Sequence, residues 1–178
     1  MNPALRYSLI YGLLAGTIVT VVITIGINLS HLFSGFHSEW FGYLVMLVAL
    51  TFVFVGMKRY RDHERGGVIR FLPAFGLGIA IAVVAGIAYV AVWEAYLAIS
   101  HYNFIDDYTA SILRAQRAAG ASPAKIAAKM AEMEALKAQY ANPLIRLPMT
   151  FMEIFPVGFV VALASAGLLR NPRFLPAR

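Results

Sequence analysis

The sequence predicts an all-α membrane protein with four transmembrane helices, both termini cytoplasmic, and an external helical hairpin between spans 3 and 4. Three observations predict it. Hydrophobic residues make up 60% of the 178 and charged residues only 13%, whereas a water-exposed domain of this length needs more polar surface to cover itself. Four apolar runs reach or approach the roughly 20 residues that cross a hydrocarbon core. Lys and Arg gather at the ends of those runs, where positive charge is retained on the cytoplasmic side.

The first span is predicted at about residues 9–29. The apolar run from Tyr7 onward is too long for the 7–15-residue core of a signal peptide, so it reads as a retained helix. Tyr7 and Tyr11, one turn apart, are expected at the headgroup level. Gly12 and Gly16 make a small-xxx-small pair for close helix approach. Thr17, Thr20, Thr24, Asn28 and His31 fall on one side of this helix and form a polar stripe. The stripe can serve as a polar pathway, but Thr side chains that bond the carbonyl four residues back give the same pattern as simple packing. The packing explanation is the stronger one.

A connection of about residues 30–39 carries His31, His37 and Glu39 but no Lys or Arg, which places it outside. The two His lack the i,i+4 spacing that puts two imidazoles on one helical face, so no metal is assigned to them. Span 2 is predicted at about residues 40–57, with Trp40, Phe41 and Tyr43 as its outer aromatic belt. Next comes the densest charge in the chain, Lys58, Arg59, Arg61, Arg65 and Arg70 against Asp62 and Glu64, broken by the Gly66–Gly67 turn. These five cations are the expected contacts to anionic lipid headgroups.

Span 3 is predicted at about residues 71–99. Pro73 is tolerated in its first turn, and Gly78, Ala82 and Gly86 form a packing ridge. Tyr89, Trp93 and Tyr96 share another face, suited to the outer interface. Residues 100–148 are the external insertion. One helix is expected from about Phe104 to Ala118. A second, of about 18 residues, opens at Ser122–Pro123 as N-cap and first helical residue, and Ile126, Met130, Met133 and Tyr140 recur on it as a packing stripe. Span 4 is predicted at about residues 149–169, with Gly158, Ala162 and Ala166 as its ridge and Pro156 freeing the carbonyl of Met152.

Arg6, the five cations from Lys58 to Arg70, and Arg170, Arg173 and Arg178 put nine of the fifteen basic residues on one side. That imbalance sets the N-in, C-in orientation. The net charge of +6 therefore reflects orientation and lipid contact, with no aromatic-interleaved basic surface for nucleic acid. The absence of Cys excludes disulfides, thiolate metal sites and a Cys nucleophile. No phosphate-cradling Gly loop, His-Glu-x-x-His or Gly-x-Ser-x-Gly is present, and nothing calls for a cofactor.

Only Glu94 and Glu153 are acids within predicted spans. An ionisable group there is a functional candidate, and two acids brought together can share a proton or hold a cation. The structural alternative is that each reaches the interface, bonded to Tyr or Trp or paired with Arg146 or another loop cation.

Four segments also carry a resemblance. Gly56-x-Lys58-x-Tyr60-Arg61-Asp62, followed by Gly66-Gly67-Val68-Ile69-x-Phe71, resembles the bacterial membrane-protein family known as domain of unknown function 4199. Tyr89-x-x-x-Trp93-Glu94-x-Tyr96 and Thr150-Phe151-x-Glu153-x-x-Pro156-Val157-Gly158 are similar to it as well. The similarity spans most of the chain and is weakest in the external hairpin. The resemblance implies a four-span inner-membrane protein of bacteria and brings no activity.

The sequence thus favours a non-enzymatic inner-membrane protein acting through lipid or a membrane partner. The alternative is a proton- or cation-coupled transporter or channel component using Glu94 and Glu153. Four spans are few for a complete carrier, so that version needs a homo-oligomer. A weaker alternative is an integral-membrane enzyme acting on a lipid or envelope substrate.

Overall fold

The computed structural model describes residues 1–28 and 39–177. Among them are six helices and no strand: α1 (Pro3–Asn28), α2 (Glu39–Glu64), α3 (Phe71–Ile99), α4 (Phe104–Ala118), α5 (Pro123–Tyr140) and α6 (Pro143–Leu169). Helices α1, α2, α3 and α6 are long and apolar enough to cross a membrane, which gives the chain the architecture of a multi-pass membrane protein. The chain divides into two compact units, Met1–Val92 with Thr150–Arg178, and Trp93–Met149.

The first unit is held by close approach of helix backbones. A Cβ added to Gly16 would lie 2.2 Å from the carbonyl oxygen of Ala85, and one on Gly12 would lie 2.5 Å from Val84 Cβ. Only glycine allows α1 to lie this near α3, and the gain is dispersion contact along the whole seam. The ridges of α3 and α6 face each other in opposite order: Gly78 meets Ala162 and Gly158 meets Ala82. Ala15, Val19, Val53, Ile81, Ala85, Ala162 and Ala166 are fully buried between these helices.

Tyr7 and Tyr11 are buried within this unit. Their rings stack at 6.0 Å, and Tyr7 meets Tyr60 edge-on at 5.6 Å. The reason is Gly56 on α2, whose missing side chain leaves room for the Tyr11 ring. Helix α2 also runs past the predicted end of span 2 to Glu64, because Lys, Arg and Glu favour helix even where hydropathy falls. The turn after it uses left-handed backbone at Gly66 and Gly67, φ 59° and 84°, and the Gly67 N–H donates to the Arg61 carbonyl at 2.9 Å.

In the second unit, α3 ends in a left-handed turn: the Tyr102 N–H donates to Leu97 O at 2.8 Å and the His101 N–H to Ala98 O at 3.2 Å. This satisfies last-turn carbonyls as a Schellman cap does, but His101 and Tyr102 take the positive φ, 53° and 59°, where glycine is usual. Helix α4 places Asp106 and Asp107 in its first turn and Arg117 in its last, matching the helix dipole. Gly120, φ 72°, turns the chain. Ser122 then caps α5 by accepting from the Lys125 N–H, with Pro123 as first helical residue. Ile105, Leu113 and Met133 are buried, whereas Met130, expected on the packing stripe, is exposed.

Lys137 of α5 donates to Asp106 of α4, and this bond holds the lysine pKa above its ordinary value. Helix α6 starts at Pro143, ahead of the predicted 149, because Asn142 accepts from the Leu144 N–H at 3.0 Å and Pro143 is pre-set for a first turn. That early start makes Arg146 a helical residue.

Candidate functional site

Glu94 and Arg146 form a two-bond ion pair in the second unit. Arg146 Nε donates to Glu94 Oε1 and Nη2 to Oε2, both at 2.7 Å, and Nη1 donates to the Tyr140 carbonyl at 2.8 Å. The guanidinium side chain is 5% exposed and the carboxylate 24%. Two parallel charge-assisted bonds fix both partners in direction as well as distance. The Arg146 Cζ also lies 5.2 Å from the Tyr102 ring centroid and 5.7 Å from that of Tyr140, so aromatic faces supplement the carboxylate.

The surroundings hold these rings in place. Trp93 Nε1 donates to Tyr140 Oη at 2.6 Å, and Phe104 meets Trp93 edge-on at 5.0 Å. The left-handed backbone at Tyr102 costs about 1–3 kcal/mol and sits within this aromatic and ionic cluster. Beside it is a cavity of about 390 Å³ lined by Leu97, Tyr102, Ile105, Lys137, Tyr140 and Arg146, among others. Both cations on its wall have acid partners, Asp106 and Glu94, so their charges are balanced.

Glu153 belongs to the first unit and is engaged differently. It is exposed, and its Oε2 accepts from the buried Tyr89 hydroxyl at 2.9 Å. The structure thus gives each of the two acids a partner within its own unit: a cation for Glu94 and a neutral phenol for Glu153. Pro156 lies within an unbroken α6.

In the α1 stripe, Thr20 is fully buried and donates to Gly16 O at 2.9 Å. Thr17 is exposed and Thr24 half-buried, so these threonines differ in environment. His31 and His37 lie outside the described residues, as do the side chains of Asn28 and Glu39. Among the described residues no three His, Asp or Glu gather as a metal site requires.

The five basic residues between Lys58 and Arg70 divide into distinct environments. Lys58 pairs with Asp62 at 2.5 Å, while Arg59, Arg65 and Arg70 are exposed. Arg61 departs from the expected headgroup contact, being fully buried. Its Nε donates to Asp62 at 2.7 Å, Nη1 to the Phe174 carbonyl at 2.9 Å and Nη2 to the Leu175 carbonyl at 2.5 Å. A buried guanidinium is tolerated when its donors are met in this way. Its position was legible: Met46, Leu50, Val53 and Met57 form the buried stripe of α2, and one further turn of the same period reaches Arg61. Arg146 was legible as a cation that an acid could pair with, but not as a helical residue, because hydropathy places it in the loop.

The family model described as "Protein of unknown function (DUF4199)" matches residues 6–171. The chain belongs to that family. No curated protein and no solved structure matches it.

Proposed function

We propose that this is a non-enzymatic, multi-pass protein of the bacterial inner membrane, with both termini cytoplasmic, that acts by engaging anionic lipid and membrane partners. The observation that carries this reading is the turn between α2 and α3. Arg65 and Arg70 of that turn and Arg59 near the end of α2 are exposed, and among the described residues none of the three has a carboxylate partner. A cation of this kind near an anionic leaflet contributes about 1 kcal/mol of attraction. Engagement of Glu94 by a bidentate guanidinium also argues against its use as a mobile proton carrier, since releasing it would leave Arg146 buried without its counter-ion.

Spin-labelled lipid in proteoliposomes tests the reading. The expected result is that phosphatidylglycerol associates more strongly than phosphatidylcholine, and that Arg59→Gln with Arg70→Gln reduces the difference. Equal association of the two lipids would overturn it. The second reading, a proton- or cation-coupled transporter, draws on Glu153, an exposed acid on a membrane-length helix. Its mark is ion flux in the same vesicles that Glu153→Gln abolishes. The expected outcome is flux no greater than in protein-free vesicles.

A further inference from the structure

In the first unit an open groove of about 580 Å³ is walled by Ala4, Leu5 and Ser8 of α1 and by Gly76, Leu77, Ala80 and Val84 of α3, among others. Tyr60 and Arg65 also line it. The wall is almost wholly apolar, and the Ser8 hydroxyl already donates to the Ala4 carbonyl at 2.9 Å. From Pro73 to Val84 the α3 wall rises about 16 Å at 1.5 Å per residue, about half of a ~30 Å hydrocarbon core.

The polar end is set by Arg65. Its Nε donates to the Tyr60 hydroxyl at 3.1 Å, and its Cζ lies 5.5 Å from the Tyr60 ring centroid. The neighbouring acid, Glu64, is drawn instead to Arg6 at 3.5 Å. Arg65 therefore keeps its charge and unengaged N–H donors at the end of a leaflet-deep apolar groove.

We propose that this groove is a binding site for one anionic phospholipid, its acyl chain lying between α1 and α3 and its phosphate on Arg65. The inference rests on the lipid-engaging reading above and gives it a location. A zwitterionic lipid carries its own cation and gains less from Arg65. A second copy of this chain would have to bring an acid to the same point.

Native mass spectrometry of the full chain released from nanodiscs tests the site. The probes are phosphatidylglycerol, phosphatidylcholine with the same acyl chains, and glycerol phosphate with none. The expected result is one retained phosphatidylglycerol per chain and neither of the other two. Arg65→Gln is expected to lower retention about fivefold, the effect of one lost cation at a membrane surface. Gly76→Leu fills the groove while leaving Arg65 intact. A Cβ added there meets no atom within 4 Å, and helix propensity favours the change, so the variant is expected to fold.

Arg114→Gln, an exposed cation of α4 that does not line the groove, is expected to retain the lipid. Retention unaffected by both Arg65→Gln and Gly76→Leu, or indifferent to headgroup, would overturn the site while leaving a general anionic preference standing. A dimer without lipid would assign the groove to a second copy and overturn it too. Loss of all headgroup preference in the spin-label experiment would instead remove the broader reading.

Discussion

Arg146 shows how much a single side chain can settle. With Glu94 it forms a planar, two-bond pair whose cation is almost fully enclosed. Removing one partner leaves the other desolvated, so Glu94→Gln is expected to destabilise the protein by about 2–4 kcal/mol. Replacing the pair with apolar residues of similar size, Glu94→Leu with Arg146→Met, should recover most of that loss. Unfolding in mixed micelles checks both, and equal stability of Glu94→Gln and wild type would mean that the pair is not holding the second unit. Glu94 itself was legible as a candidate, since a lone acid in an apolar run stands out. Its pairing with Arg146 was legible only as one alternative among several, because the bond joins residues 52 positions apart and no local period selects the partner.

Within the elements, helix existence was more legible than helix ends or contacts. The hairpin helices announce themselves through Ser122, Pro123 and Gly120, residues whose backbone chemistry dictates caps and turns. The early start of α6 depends on Asn142 and Pro143 outweighing the polarity of Arg146, a contest that hydropathy alone decides wrongly. Glycine ridges were visible, but spacing cannot name their partners. The structure does: Gly16 rests on the Ala85 carbonyl, whereas Gly76 faces open space. Gly16→Leu is therefore expected to cost at least about 1–3 kcal/mol by overpacking, while Gly76→Leu should leave thermal stability unchanged or raise it. Melting of the two variants in one detergent checks the contrast.

At the scale of the whole molecule, the proposed orientation makes a prediction that the chemistry of the chain renders simple to read, because it contains no native Cys. Single cysteines at Asn2 and Arg173 are expected to react with an impermeant maleimide only from the cytoplasmic side, and one at Ala119 only from the opposite side. Reaction of Asn2→Cys from outside would reverse the assignment.

The buried Arg61 bears on the order in which the chain can complete itself. Its carbonyl partners, Phe174 and Leu175, lie 113 and 114 residues further along. During synthesis, which runs at about 5–20 residues per second, the guanidinium must wait for α3, the whole second unit and α6 to be made. Until then it remains hydrated or pairs with Asp62 alone. The last turns of α2 thus reach their final packing only after the segment that follows α6 has been made.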